Sequence, residues 1–576
     1  MDLIIRGATV VDGTGAPSRV ADVGIADGRI AQVEDTITEG AKRVFDADGL
    51  VLAPGFVDLH THYDAQLLWD PSASPSSMHG VTTVMGGNCG FTLAPAGEEH
   101  VDYLARMMAR VEGIPLAALE HGVPWDWRTF EEYLERVERG GTSVNAGFLA
   151  GHSAIRRSVM GDNATTGEAN ENQIDEMVEL LHHSLEAGAL GFSTSQAPTH
   201  NDGNGDPVPS RSASRSELLA LAAAVQDHPG TQLECIIAGC LNGFSDDEVE
   251  LLADLSMAAD RPLNWNVLGV TASGNHEHQL QASTRAAERG GRVVALTIPQ
   301  AMSIRLSFLS GFVLDGLPGW REVIALPVAE RLRALSDPEI RERLNRGARS
   351  DEAGILANLA RWERFTIVEA FTAGTAQFEG RRISEIAREQ QKDPFDALLD
   401  IVVADGLRTG LRPDMPKEDD DTWQARAAVW KDPRAVVGGS DAGAHLDMFC
   451  MAGYSTFLVG PAVRDLGLLT LEEAVRLLTD VPARLYGLDG RGRIEPGAHA
   501  DLICFDPGTV APGRERTLDD LPGSASRIVV DAVGMPHVFV SGTAIVRDGA
   551  LTGSTPGTVL RSGRDTSTVN AAEVKP

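Results

Sequence analysis

The stretch "APGFVDLHTHYDAQ" sets His60 and His62 two residues apart, close behind a short apolar run. Side chains at that spacing point to one face of a strand, and Asp58 points there with them. Two imidazoles beside a carboxylate are either the polar end of a strand near the surface or part of a metal site. Residues of related type end several other apolar runs: Asn88–Cys89, His152, Ser193–Ser195, Glu234, Asn266 and Asp441. Imidazole, thiolate and carboxylate are ligands for zinc or a similar divalent ion, and such an ion brings the pKa of water near neutrality. An Asp beside it could take the proton from water and hand it to a leaving amine. Asp441, in "VVGGSDAGAH", suits that task, because the glycines ahead of it allow a close backbone approach.

Other residues of the same types read differently. His276 and His278 in "SGNHEHQL" repeat the spacing, but in a polar context that starts a helix. His182 and His183 lie in a helical stretch and read as surface residues. Cys89, within "GGNCG", is either a buried hydrophobe or a ligand, whereas Cys235 reads as core and Cys240, Cys450 and Cys504 as structural.

The elements that must bring these positions together alternate in kind. Apolar runs "PGFVDLH", "VTTVMGGN", "VNAGFLAGH", "ALGFSTS", "TQLECIIAG", "PLNWNVLGV", "RVVALTIP" and "AVVGGSD" are separated by helical stretches, among them 130–139, 171–188, 214–227, 246–260 and 278–290. That alternation predicts an α/β fold, a (β/α)8 TIM barrel over 54–489, with the polar strand ends gathered at one mouth. A charged helical insertion is expected at about 305–380 ("ERLRALSDPEIRERLNRGARSDE"). The termini, 1–53 and 490–555, show alternating apolar residues and Asp-Gly or Gly-rich turns, which predicts one small β-sandwich built from both ends. The Ser/Thr/Gly-rich tail, 556–576, is expected to be loose.

Bulk properties narrow the partners. The 576 residues carry 82 acidic and 50 basic groups, a formal net charge of −32. That balance argues against nucleic acid or an anionic membrane surface, both of which need positive charge. No run of about 18 uncharged apolar residues suggests a membrane span, and the opening "MDLIIRGATVVDGTG" lacks a signal-peptide pattern. Five scattered cysteines do not make a disulfide framework, so the cytoplasm is the expected location.

The phrases "LIIRGATVVDGTG", "PGFVDLHTHYD", "GVTTVMGGNCG", "LAGHSAIR", "GALGFSTS", "GGSDAGAH" and "EAVRLLTDVPARLYGLDGRGRIEPGAHADLICFDP" resemble the amidohydrolase superfamily, in its D-aminoacylase (N-acyl-D-amino-acid deacylase) branch, nearly end to end. The resemblance implies hydrolysis of a non-peptide amide C–N bond in a small molecule by metal-activated water, with one or two divalent ions, zinc first. It implies His60 and His62 as first-strand metal ligands, Cys89 as a metal-bridging or second-site ligand and Asp441 as the catalytic acid/base; His152, Ser195, Asn266 and His445 are expected toward the substrate. Self-association is expected only by analogy with other barrels of this kind.

The chain also departs from that branch. Histidines supplied by the fifth and sixth strands are absent: "TQLECIIAG" offers Glu234 as a replacement ligand, and "NWNVLGV" offers Asn266. Leu268 stands where a lysine helps hold the substrate carboxylate, and "ALTIPQ" lacks a tyrosine-bearing phrase. One metal held through His60, His62 and Asp441 is the favoured arrangement. A deacylase with a rearranged metal shell and a barrel that has lost catalysis and serves binding remain the alternatives.

Overall fold

The computed structural model describes residues 1–572 except 312 and 415–417. Eight short strands follow one another around a ring: β1 (Phe56–Asp58), β2 (Val81–Gly86), β3 (Asn145–Phe148), β4 (Gly191–Ser195), β5 (Gln232–Ile236), β6 (Leu263–Trp265), β7 (Val293–Thr297) and β8 (Ala435–Val437). β1 to β3 pair in parallel, as do β4 to β8 in chain order. Ala150–Gly151, just past β3, pairs in parallel with β4, and a parallel Thr61–Ala442 bridge joins the two ends of the ring. β1, β2, β4 and β5 are buried along their whole length, as strands covered on both faces must be. All eight apolar runs of the sequence supply these strands.

Helices between the strands start where local chemistry dictates. Thr129, Asn170 and Ser245 each accept a backbone N–H three residues on, and Glu132, Gln173 and Glu248 bond back to them. These capping boxes satisfy donors that a helix start leaves without partners. They begin Phe130–Gly140, Glu171–Glu186 and Asp246–Ala259.

Strands from both termini form one continuous nine-stranded sheet, where the sequence predicted a sandwich. Val51–Pro54 pairs antiparallel with Leu502–Phe505 and so joins the two ends of the chain. The tight turns Asp27-Gly28, Ser541-Gly542 and Asp548-Gly549 all have positive φ at both residues, as two-residue hairpins of the primed type require. The sheet has its own core, including Ile5, Val23, Leu502 and Phe539.

Two expectations need correction. The insertion between β7 and β8 continues past 380 and is not wholly helical: Thr366–Glu369 pairs antiparallel with Gly410–Arg412. The apolar faces of its charged helices close over a separate core, in which Trp320 stacks on Trp362 at 5.6 Å. The tail is packed through 572. Val559 and Leu560 are buried, Leu560 N–H donates to Ala146 O at 2.8 Å, and Ser567 N–H donates to Gly487 O at 2.8 Å. Polar composition suggested a loose end, but these backbone bonds and two apolar side chains fasten it. Residues 573–576 lie outside the described residues. Among the described residues no helix is long and apolar enough to cross a membrane.

Candidate metal centre

His60 and His62 leave the end of β1 and meet the loop after β8. Asp441 N–H donates to His60 O at 3.1 Å and His62 N–H donates to Ala442 O at 2.7 Å, so the backbones are laced together. Gly443 has φ +93°, and a Cβ there would stand 2.5 Å from His62 O. The "GGSDAGAH" loop can therefore lie this close only with glycine at that position. Asp441 itself has φ +57° and Cys89 φ +55°, a region that non-glycine residues enter at a cost.

This lacing brings side chains from four parts of the ring together. His62 Nε2 lies 3.1 Å and His60 Nε2 3.6 Å from Asp441 Oδ1. Cys89 Sγ is 3.6 Å from His60 Nε2, and Asn266 Nδ2 is 3.5 Å from both. Asn266 Oδ1 is buried without a partner, and a half-turn of the amide would exchange the two atoms. Glu234, on β5, accepts the Cys89 N–H at 2.7 Å through Oε2, while its Oε1 stays 4.0 Å from His60 Nδ1. It braces the Cys89 turn and lies outside both trios of ligand atoms that cluster here, His60–His62–Cys89 and His62–Glu112–Asp441.

The electrostatics are dominated by buried carboxylates. Burial pushes Asp58 and Asp64 up to about 6, Glu112 to about 7 and Glu234 to about 8. Burial opposes the His62 charge, yet the Glu112 and Asp441 carboxylates raise it to about 10. Burial and the neighbouring His62 charge drive His60 down to about 3. Burial would raise Asp441, but the His62 contact and charge hold it well below the usual carboxylate range. Burial and the Glu234 charge lift the Cys89 thiol well above its ordinary value.

A divalent cation fits these residues. Among the described residues no lysine or arginine pairs with Asp58, Asp64, Glu112, Glu234 or Asp441. His60 Nδ1, His62 Nδ1, Asp58 Oδ2, Asp64 Oδ1 and Glu234 Oε1 are buried without hydrogen-bond partners. Ligand atoms about 2.0–2.3 Å from a tetrahedral ion stand roughly 3.3–3.8 Å from one another. The separations of 3.5 and 3.6 Å fall in that range and 3.1 Å lies just below it.

The residues assigned toward the substrate fare unevenly. His152 is fully buried, with Nδ1 on Thr194 Oγ1 at 2.8 Å and Nε2 on Glu217 Oε1 at 2.9 Å. It follows a strand end, as the sequence suggested, but opens the helix His152–Met160 and spends both nitrogens inside the fold. Ser195 is buried and bonds His200 Nδ1 at 2.7 Å, so it orients that imidazole. Asn266 belongs to the His60–Cys89 cluster. His445 is partly exposed, 3.8 Å from Asp441 Oδ2.

Three residues escaped the sequence reading. Asp64 continues the alternate spacing of Asp58, His60 and His62, a signal that could have found it; its Oδ2 accepts the Gly87 N–H at 3.1 Å. His200 follows β4 by five residues, and burial lowers it to about 4. Glu112 follows the helix Val101–Val111, and nothing in its local sequence marks it as a site residue.

The amidohydrolase family pattern matches residues 43–542. The chain is 27% identical to a D-aminoacylase of Alcaligenes xylosoxydans xylosoxydans, over 97% of each chain. It is 28% identical to the N-acyl-D-glutamate deacylase of the same organism, covering all of this chain and 99% of that one. A solved D-aminoacylase, described with a binuclear metal centre, one-metal activation and second-metal attenuation, superimposes with a TM-score of 0.64 at 27% identity, over 97% of this chain and 99% of that one. The N-acyl-D-glutamate deacylase of Bordetella bronchiseptica, solved with zinc and a phosphonate mimic of the tetrahedral intermediate, gives 0.64 at 25% identity, over 98% and 100%. The chain belongs to the amidohydrolase family, in its D-aminoacylase-like branch, and is a hydrolase of carbon–nitrogen bonds other than peptide bonds.

Proposed function

We propose that the chain hydrolyses the amide bond of a small N-acylated molecule with a divalent cation, zinc first, held between His60, His62 and Asp441. The convergence of both imidazole Nε2 atoms on Asp441 Oδ1 carries this reading. The architecture is read as a barrel capped by a terminal β-domain, with the reaction at the C-terminal ends of the ring strands. A divalent cation bound there supplies Lewis acidity, polarising the scissile carbonyl and acidifying water toward neutral pH.

The chain's own groups supply the rest. Asp441 accepts a proton from water and delivers it to the departing amine nitrogen, so no free amide anion has to leave. Glu234 fixes the Cys89 turn through the backbone N–H. Ser195 holds His200 beside the cluster, and partly exposed His445 stands at its rim.

The relatives' activities favour an N-acyl-D-amino acid substrate processed by a rearranged metal shell. Buried Leu268, in place of the expected lysine, instead favours an amide without a free α-carboxylate. Initial rates on N-acetyl-D-amino acids, N-acetyl-L-amino acids and uncharged N-acetyl amines separate the two. Turnover confined to the D-series supports the first and turnover confined to uncharged amides the second. No release of amine from any, with metal supplied, contradicts both.

A further inference from the structure

Among the described residues the only cationic group that pairs with the Glu112 carboxylate is His62. Glu112 is the residue after the helix Val101–Val111, at the end where the helix dipole disfavours negative charge. It is 3% exposed, and among the described residues no N–H or O–H donates a hydrogen bond to its carboxylate. His62 Nε2 approaches it at 3.5 Å. A buried carboxylate needs a cation, and once His62 gives up its proton to act as a ligand only a metal ion can answer Glu112 there.

Its placement is fixed. The His445 N–H donates to Glu112 O, which ties the residue to the loop carrying Asp441. The following Gly113 has φ +61°, and a Cβ there would lie 3.1 Å from His445 Cα. Glu112 is thus held against His62, and Glu112, His62 and Asp441 form a trio of ligand atoms that does not include Cys89.

Resting on the amidohydrolase reading above, we propose that Glu112 is a metal ligand, which with His62 and Asp441 builds a second, thiolate-free site for a divalent cation. With both sites filled, His62 Nε2 serves the Glu112 site and His60 Nε2 with Cys89 Sγ serves the other. Asp441 Oδ1, 3.1 Å from one imidazole and 3.6 Å from the other, stands between them. One imidazole with two carboxylates is a harder donor set than imidazole with thiolate, so the Glu112 site suits manganese-like ions and the Cys89 site zinc-like ones.

Metal-free wild type and Glu112→Gln are titrated with cobalt(II), following near-ultraviolet thiolate-to-cobalt absorption and bound cobalt per chain after equilibrium dialysis. Wild type is expected to bind two equivalents, of which only one raises the thiolate band. Glu112→Gln is expected to keep that equivalent and to bind the other at least about 100-fold more weakly. Two equivalents of unchanged affinity in Glu112→Gln would overturn the proposal, and so would loss of the thiolate band in a variant with unaltered circular dichroism. Should the variant not fold, wild type still decides: a single equivalent, or two without a thiolate band, overturns the assignment. Wild type that binds no cobalt would instead bring down the metal-dependent reading itself.

Discussion

His62 Nε2 and Asp441 Oδ1 stand 3.1 Å apart, on backbone segments joined by hydrogen bonds in both directions. The imidazole keeps the carboxylate ionised, and the carboxylate in turn favours charge on the imidazole. Asp441→Asn preserves shape but removes the proton acceptor, so kcat is expected to fall by about 1,000-fold or more, with the circular dichroism spectrum unchanged. A variant within tenfold of wild type on any hydrolysed amide would contradict the assignment.

His62, raised to about 10, carries a proton at neutral pH in the absence of metal, and a metal ligand must be a neutral imidazole. Cation uptake is therefore expected to release a proton, with affinity rising about tenfold per pH unit between pH 7 and 9. Calorimetry in buffers of different ionisation enthalpy reads that proton directly. Binding heats independent of the buffer would contradict it.

The His152–Glu217–Arg156 network is structural. Glu217 sits between His152 Nε2 and the Arg156 guanidinium, all three side chains being fully buried. His152→Ala is expected to lower unfolding free energy by about 2–4 kcal/mol while leaving KM within about twofold. A raised KM with unaltered denaturant midpoint would return His152 to the substrate.

Remote from the metal centre, His79 bonds Thr456 Oγ1 at 2.8 Å and Val530 O at 3.0 Å. Burial lowers it to about 4, so the folded state binds fewer protons than the unfolded chain between that pH and about 6.5. The stabilisation is complete above about pH 6.5 and is lost as pH falls toward 4, by about 3 kcal/mol in all. Urea midpoints of wild type and His79→Gln should converge on acidification from pH 7 to 5. Parallel pH profiles would show that His79 does not contribute.

Period and punctuation made the ring legible: each apolar run bounded by glycines or polar residues became a strand, and the Asp-Gly turns became hairpins of the terminal sheet. The H-x-H spacing expected His60 and His62 on one side of the strand end, and both Nε2 atoms do face Asp441 Oδ1. His152 shows the limit of the same logic, since a polar residue after a strand can turn down into the helix layer as easily as up into the mouth. Glu112 was invisible because its meaning lies in the His445 backbone and the His62 ring, both distant in sequence. The tail misled through composition: Val559, Leu560 and a few backbone bonds outweigh its polar remainder.

Removal of the metal tests the proposed chemistry most directly. Protein dialysed against a chelator and verified metal-free should hydrolyse none of the amides that the untreated protein cleaves, and zinc, cobalt or manganese should restore turnover as the ion binds. Full activity in verified metal-free protein would contradict the account.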